Sequence, residues 1–502
     1  MISSERYISA ADYQLFLTCP RSLHYRLTGQ AIPPRFEADA HFPLRADRAI
    51  VRDLARTLFP GGVALEAPTA DTLASRAVAE HQVLFGACCG RDPFAACADV
   101  LHPQKPDGLA AVLVRETTSI KEAHIIDAAF LLWNFRACDV PLEKLYIYHL
   151  RKHYEHDGVI DPGALFSVHD VTRRAAKRLE RERTGFEELE RVLAEDPTLE
   201  RFAQTPCKRP RHCPLCSSDL PSEASTPWGR KPAPGDDLST LFKGGKLVRE
   251  LREEGYTTIA EVPESRLSDR RHRVQQRALQ SGKAQIDPAL LTRFLASLEY
   301  PLHFLDFEAT SEALPRFPSV RPWEHVAYLY SLHQQPAPGA ELTHRDFVMM
   351  PGRDERREMV EDLLEHLGRS GSVVVYSAGF EQGILSRLAD AVPEHAAALS
   401  AVRERVVDLL QPFTEFAYYH HNQRGKLSLK RVLPLLTNKS YAEESVADGY
   451  TANVAYRYLS ENAARLAADE RDSVLADLRS YCRMDTRAMV AVLEALRSTL
   501  VE

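Results

Sequence analysis

Residues 301–310, PLHFLDFEAT, have the composition of a buried β-strand, yet they carry two carboxylates. Side chains alternate faces along a strand, so Asp306 and Glu308 project from one side while Leu305 and Phe307 pack on the other. Two acids held that close repel, and they are driven to take up a proton unless something positive sits between them. A divalent metal is the usual answer, and hard oxygen ligands favour Mg²⁺ or Mn²⁺. An isolated Asp-x-Glu would read as the end of a surface strand. This one is followed by further acids in matching contexts.

Three such contexts come in order downstream. Residues 372–376, SVVVY, form a short apolar strand that runs through a turn, Ser377-Ala-Gly, into a helix with Glu381 at its start. Residues 405–410, RVVDLL, are a second strand-like run with Asp408 embedded in it, either near the metal or capping a neighbouring helix. From Leu475 to Leu496 the apolar residues Leu475, Leu478, Cys482, Met489, Val492 and Leu496 recur with helical period, and Tyr481 and Asp485 lie four apart on one face.

Strand Asp-x-Glu, Phe-acid at a helix start, then Tyr-x-x-x-Asp on the last helix is the order of the DEDD 3′-5′ exonucleases of the DnaQ-like, RNase H-like superfamily. Residues 297–502 resemble that family, and the tyrosine marks its DEDDy branch. The resemblance implies two Mg²⁺ or Mn²⁺ ions held by Asp306, Glu308, Glu381 and Asp485, with Tyr481 orienting the attacking water. It also implies phosphodiester hydrolysis in DNA or RNA, with DNA the favoured partner. The chain departs from the pattern at Ser377-Ala-Gly-Phe380-Glu381, where many relatives have Asn-x-x-Phe-Asp, so this acid is one methylene longer. Residues 321–333, 428–434 and 481–486 resemble a bacterial family of unknown function that joins such a domain to a RecB-like one.

That second resemblance is carried by the N-terminal part. Residues 7–27 read as a helix capped by Ser9, a break at Pro20 and a second short helix. The phrase Cys19-Pro-Arg resembles the first helix of RecB-like, PD-(D/E)XK nucleases, in which such a cysteine ligates an iron–sulfur cluster. Cys207, Cys213 and Cys216 fall within ten residues beside Lys208, Arg209 and Arg211, and with Cys19 they make a four-thiolate set. Thiolates select iron–sulfur or zinc. The resemblance favours [4Fe–4S], with zinc as the rival. Cys88, Cys89, Cys97 and Cys138 have no ligand spacing and read as buried or incidental.

A RecB-like site needs an Asp on one strand and Glu-x-Lys on the next. Asp99 supplies the first, but aligning Thr118-Ser-Ile-Lys121 with relatives puts Leu113 at the acid and Arg115 at the lysine, so this site reads as degenerate. A two-residue slip would make Glu116 the acid.

The chain of 502 residues is too long for one core, and 44% hydrophobic with 26% charged residues is the composition of a globular protein. No apolar run reaches the ~20 residues of a membrane span, and the first residues lack the layout of a signal peptide, so a cytoplasmic location without membrane partners is expected. A net charge of −7 argues against a protein that holds nucleic acid by bulk positive field, though not against a metal-dependent nuclease. Interleaved Arg and Glu from Thr172 onwards predict a long solvated helix. A Ser/Pro/Gly-rich linker follows Ser217. Residues 238–296 read as helical, with a Gly244-Gly245 turn that faintly resembles a helix-hairpin-helix.

The expectation is an α/β multidomain chain. Residues 1–217 are RecB-like with a cysteine-bound cluster, 218–296 are a linker and helical region, and 297–502 are RNase H-like. Its function is a two-metal 3′-5′ exonuclease; the alternative is a non-catalytic nucleic-acid-binding or scaffold protein with vestigial sites.

Overall fold

The computed structural model describes residues 7–28, 42–65, 82–196 (save 91, 105–107, 141 and 156), 200, 202, 235–440 (save 438) and 449–500. It is mixed α/β and divides into two units, one of residues 1–220 with 311–324, the other of 221–310 with 325–502. Among the described residues no helix is long and apolar enough to cross a membrane.

In the first unit, α1 (Ala10–Thr18) starts where Ser9 and Asp12 cap each other's backbone amides, and α2 (Pro20–Thr28) follows the break at Pro20. After α3 (Phe42–Arg56) come β1 (Val63–Ala64), β2 (Leu84–Cys89), β3 (Ala96–Gln104), β4 (Gly108–Arg115), α4 (Glu122–Ala137), β5 (Leu142–Leu150), β6 (Phe166–Asp170) and α5 (Thr172–Glu195). The strands lie in sequence order in one sheet. β2, β3 and β4 are antiparallel neighbours, β5 is parallel to β4, and β6 is antiparallel to β5. The parallel step needs a crossover, which α4 provides. Every residue of β4 is buried, as expected of a central strand covered on both faces. Ala111 and Leu113 pack with α1, α4 and α5, whereas Val112 and Val114 pack with Val51 and Ala55 of α3.

Two features of this unit were not anticipated. Cys88 and Cys97 form a disulfide, which corrects their reading as incidental thiols. Antiparallel register sets the two directly opposite each other on β2 and β3, nine residues apart in the chain, and this pairing has no local signature. Cys89 and Cys138 remain thiols. The second feature is the segment 311–324, placed by its sequence in the C-terminal part but clustering with the first unit. Its Ala313 is fully buried among Val51, Val112, Val114 and Leu165, with Leu314 and Trp323 packed alongside. The Trp323 indole N–H donates to the carbonyl of Glu116, and Arg321 pairs with Glu155 at 2.7 Å.

The second unit begins with α6 (Gly245–Glu253), α7 (Arg270–Ser281), β7 (Gln285–Ile286) and α8 (Pro288–Ala296). Its main sheet has β8 (Leu302–Ser311) at the centre, flanked by β9 (His325–Gln335) and β10 (Thr343–Val348) on one side. On the other lie β11 (Val373–Val375) and β12 (Val406–Asp408), with β11 parallel to both β8 and β12. Between these strands run α9 (Arg356–Leu367), α10 (Ala378–Ala391) and α11 (Ala396–Glu404). After β12 come β13 (Tyr418–Tyr419), α12 (Leu429–Thr437), α13 (Gly449–Asn462) and the 31-residue α14 (Ala468–Ser498). Leu302 and Phe304 share one core with Val432 and Leu433 of α12 and with Met489, Val492 and Leu496 of α14. The even-numbered face of β8 therefore looks at α14.

Trp323→Ala removes a half-buried aromatic from the first unit, at an expected cost of about 2–4 kcal/mol. Guanidinium denaturation should show the loss, and hydrogen exchange should place it in β4 and β6.

Candidate metal centre

Leu302, Phe304, Asp306 and Glu308 follow one another on a single face of β8, so the row that starts in the core ends in two acids facing α14. On that helix Leu496, Val492 and Met489 cover the apolar part of the row, and Asp485 and Tyr481 lie one and two turns nearer its N-terminus. The result is a group of three carboxylates, Asp306, Glu308 and Asp485, whose oxygens lie within 4.8 Å of one another. The Asp306 carboxyl is held well above the ordinary carboxylate range, first by burial and then by the charges of Asp485, Glu308 and Glu381. Hard oxygens crowded at the same spot fit a divalent cation, which would remove the repulsion they now share.

Tyr481 is buried and is raised above the usual phenol range by burial and by the charges of Asp485, Glu308 and Asp306. The ammonium group of Lys430, on α12, lies 4.8 Å from the centre of its ring. Glu381 stands on the first turn of α10 and is only 3% exposed. Its Oε2 has no hydrogen-bond partner among the described residues, and burial pushes its carboxyl up to about 8. Its charge is felt by Asp306, but it is not one of the three acids that converge.

Asp408 settles the choice the sequence left open, because it is a cap. Its Oδ1 accepts from the amides of Ser377 and Leu410, both at 2.9 Å, and its Oδ2 from that of Ala378 at 3.1 Å. Ser377 takes a left-handed conformation, φ 77°, where the strand β11 turns into α10. Asp408, beside Val375 across the parallel pair β11–β12, thus fixes the turn that sets Glu381.

Residues 303–428 match a family described only as a domain of unknown function, DUF2779. No curated protein and no solved structure matches the chain. The match spans β8 to the start of α12, so it includes Asp306, Glu308 and Glu381 but neither Tyr481 nor Asp485.

Two neighbours of the acids were missed in the sequence. Cys482, read there only as part of the apolar face of the last helix, points its thiol at Asp306, with Sγ 3.3 Å from Oδ2. Burial and the adjacent carboxylates raise this thiol well above its ordinary range, so it stays a donor. One turn further along α14, Thr486 Oγ1 lies 2.8 Å from His333 Nδ1 and 2.9 Å from Ser331 Oγ, which in turn is 2.9 Å from His344 Nε2. His303 spans Ser370 and Gln334, and His325 meets Phe380 edge-on, so all four histidines near these strands have structural partners.

The other expected site is closed by an ion network. Arg115 Nη2 lies 2.8 Å from Asp127 and its Nη1 3.6 Å from Asp99, while Asp99 accepts from the Val114 amide at 2.8 Å and Gln14 donates to Asp127 at 2.6 Å. Leu113 is buried in the core. Glu116, the acid of the slipped alignment, has a buried Oε2 without a hydrogen-bond partner among the described residues. Of the four cysteines, Cys19 caps the end of α1 and is buried; Cys207, Cys213 and Cys216 lie outside the described residues.

His333 gives a pH test. Burial, then His344, Arg487 and Arg483, lower its pKa to about 3, against about 6.5 in an unfolded chain. Its contribution to stability is complete above about pH 6.5 and is lost as the pH falls towards 3, because only the unfolded chain binds the proton in that window. The melting temperature should fall across this range, and less steeply in His333→Gln.

Proposed function

We propose that this chain is a metal-dependent nuclease of the DEDDy 3′-5′ exonuclease type, with an RNase H-like catalytic part, acting in the cytoplasm on nucleic acid and on DNA in preference to RNA. The observation that carries this reading is the convergence of Asp306, Glu308 and Asp485 beside a buried tyrosine on which all three charges act. Asp306, Glu308 and Asp485 would hold the cation, with Glu381 beside them as the fourth acid. Two Mg²⁺ or Mn²⁺ ions supply, when bound, a water made nucleophilic at neutral pH and a counter-charge for the leaving oxygen.

The protein's own groups do the rest. Tyr481 offers a hydroxyl beside the three acids, on a ring packed under Lys430, and burial keeps it protonated, so it can orient a water without gaining or losing a proton. Cys482 donates to Asp306 from the side and restrains the carboxylate's rotation. Asp408 holds the turn from which Glu381 projects.

In the first unit, the guanidinium of Arg115 lies between Asp99 and Asp127, where a nuclease of the RecB-like type needs a lysine and free carboxylates. Arginine keeps its proton and cannot act as a lysine would. This supports a RecB-like unit that performs no chemistry; its binding of nucleic acid, and a [4Fe–4S] cluster or zinc held by Cys19, Cys207, Cys213 and Cys216, are what the resemblance implies. One observation favours the second reading, a non-catalytic binding or scaffold protein, for the whole chain: Glu381 stands outside the converging trio.

Digestion of end-labelled single-stranded and duplex DNA and RNA with Mg²⁺ or Mn²⁺ separates these readings. Asp306→Ala should lower the rate by about 10³-fold or more, because the acid acts as part of a unit, while Tyr481→Phe should cost less. Asp99→Asn should change it less than about twofold if the first unit has no chemistry. Full activity in Asp306→Ala would remove the assignment, and inactivity in Asp99→Asn would move catalysis to the first unit.

The cluster is tested by preparing the protein without oxygen. About four irons and four sulfides per chain are expected, with loss of colour in Cys207→Ser. Stoichiometric zinc without iron would replace the cluster by a structural zinc site.

A further inference from the structure

The second unit has a group of cations on the loop between β13 and α12 that the proposed chemistry does not use. Arg424 and Arg431 are half-buried, and the Nε atom of each is buried without a hydrogen-bond partner among the described residues. Neither is paired with a carboxylate among the described residues; Arg431 donates only to the carbonyl of Asn422. Burial followed by the charge of Arg424 lowers the pKa of Arg431, and burial followed by the charge of Arg431 lowers that of Lys426. The phenol of Tyr419 acts on Arg431 in the opposite sense. His420 and His421 are stacked beside them, ring centres 4.3 Å apart, and the buried Nδ1 of His421 also has no hydrogen-bond partner among the described residues. Half-buried guanidinium groups that repel each other and have no carboxylate beside them are costly unless an anion completes them.

Two tethers give this loop its place. Gly425 has φ 68°, and a Cβ there would come within 2.3 Å of the Thr240 carbonyl, so the loop lies hard against residues 240–242. The exposed Lys243, φ 48°, comes next in the chain, just before α6. At the other end the Tyr376 hydroxyl donates to the carbonyl of Leu427, and Lys430 lies over Tyr481. The loop that carries the cations therefore runs from residues 240–242, beside the Gly244-Gly245 turn, to the tyrosine of the acid site.

We propose that Arg424 and Arg431, with Lys243 at the outer end, bind successive phosphates of a single nucleic-acid strand whose 3′ end reaches Asp306, Glu308 and Asp485. The fork of each guanidinium matches a phosphate, and a strand is the anion that can lie along the loop and end at the acids. This rests on the exonuclease reading for the identity of the strand, not for the presence of the anion site.

The test is binding, measured by fluorescence anisotropy with labelled 15-nucleotide oligo-dT and oligo-rU in Ca²⁺ over a salt series. The parent is compared with Arg424→Asn/Arg431→Gln, in which asparagine tolerates the left-handed φ of 54° at position 424. Affinity should fall about tenfold or more for both oligomers, and the slope of log affinity against log salt should lessen by about 1.4, that is, by about 0.7 for each phosphate that the protein ceases to neutralise. The paired change of both arginines to lysine should restore the slope, which keeps the test decisive if the first variant melts early. Mn²⁺ binding, read by electron paramagnetic resonance, should not change. Unaltered affinity and slope in a folded variant would overturn the proposal while leaving the exonuclease reading intact, and so would a loss confined to one oligomer, since phosphates are common to both. Arginine-dependent binding together with full digestion by Asp306→Ala would instead sink the exonuclease reading and leave the strand-binding site standing.

Discussion

Three carboxylates that cannot all be charged side by side set the terms for the second unit. Their repulsion must be met by protons or by a cation, and much of the surrounding structure keeps them from moving apart. The row on β8 is anchored by Leu302 and Phe304 in the core, and α14 is pinned by Met489, Val492 and Leu496 against the same core, so neither element can tilt away without exposing apolar surface. Cys482 and Tyr481 fill the sides with a thiol and a phenol that burial keeps protonated. The arrangement is preorganised at the expense of local stability, as sites built for charge tend to be.

The first unit resolves a similar problem in the opposite way. There Asp99 and Asp127 meet a resident guanidinium; the backbone amide of Val114 donates to the Asp99 oxygen that faces it, and the side chain of Gln14 donates to the other oxygen of Asp127. One site holds its charge balance internally while the other leaves it open to a ligand. The contrast is a matter of one side chain, because a fixed cation at position 115 removes the electrostatic demand that a metal would otherwise satisfy.

Much of this was legible in the sequence because strand alternation and helical period are local rules. Asp306 and Glu308 declare a common face, and Tyr481 and Asp485 are separated by one helical turn, so only the meeting of the two elements had to be supplied by the fold. The cap at Ser9, the break at Pro20 and the long helix from Thr172 followed from the same kind of rule. What escaped depends on contacts between distant segments. Nothing near Cys88 marks Cys97 as its partner, since strand register decides it. Asp408 reads identically as ligand or cap until β12 is placed beside β11. The role of Cys482 is hidden by its apolar neighbours, and the unsatisfied state of Arg424 and Arg431 is visible only once burial is known.

The placement of residues 311–324 bears on how such a chain is made. Synthesis runs from the N-terminus, and domains generally fold as units as they emerge. Here the first unit lacks Ala313 and Trp323 until 93 and 103 residues after Leu220, where its main part ends, and by then β8 of the second unit is already present. The nascent first unit must wait with Val51, Val112 and Leu165 uncovered on one side of its sheet. Folding of the two units is therefore interleaved in time, and the ribosome completes the first only while it is building the second.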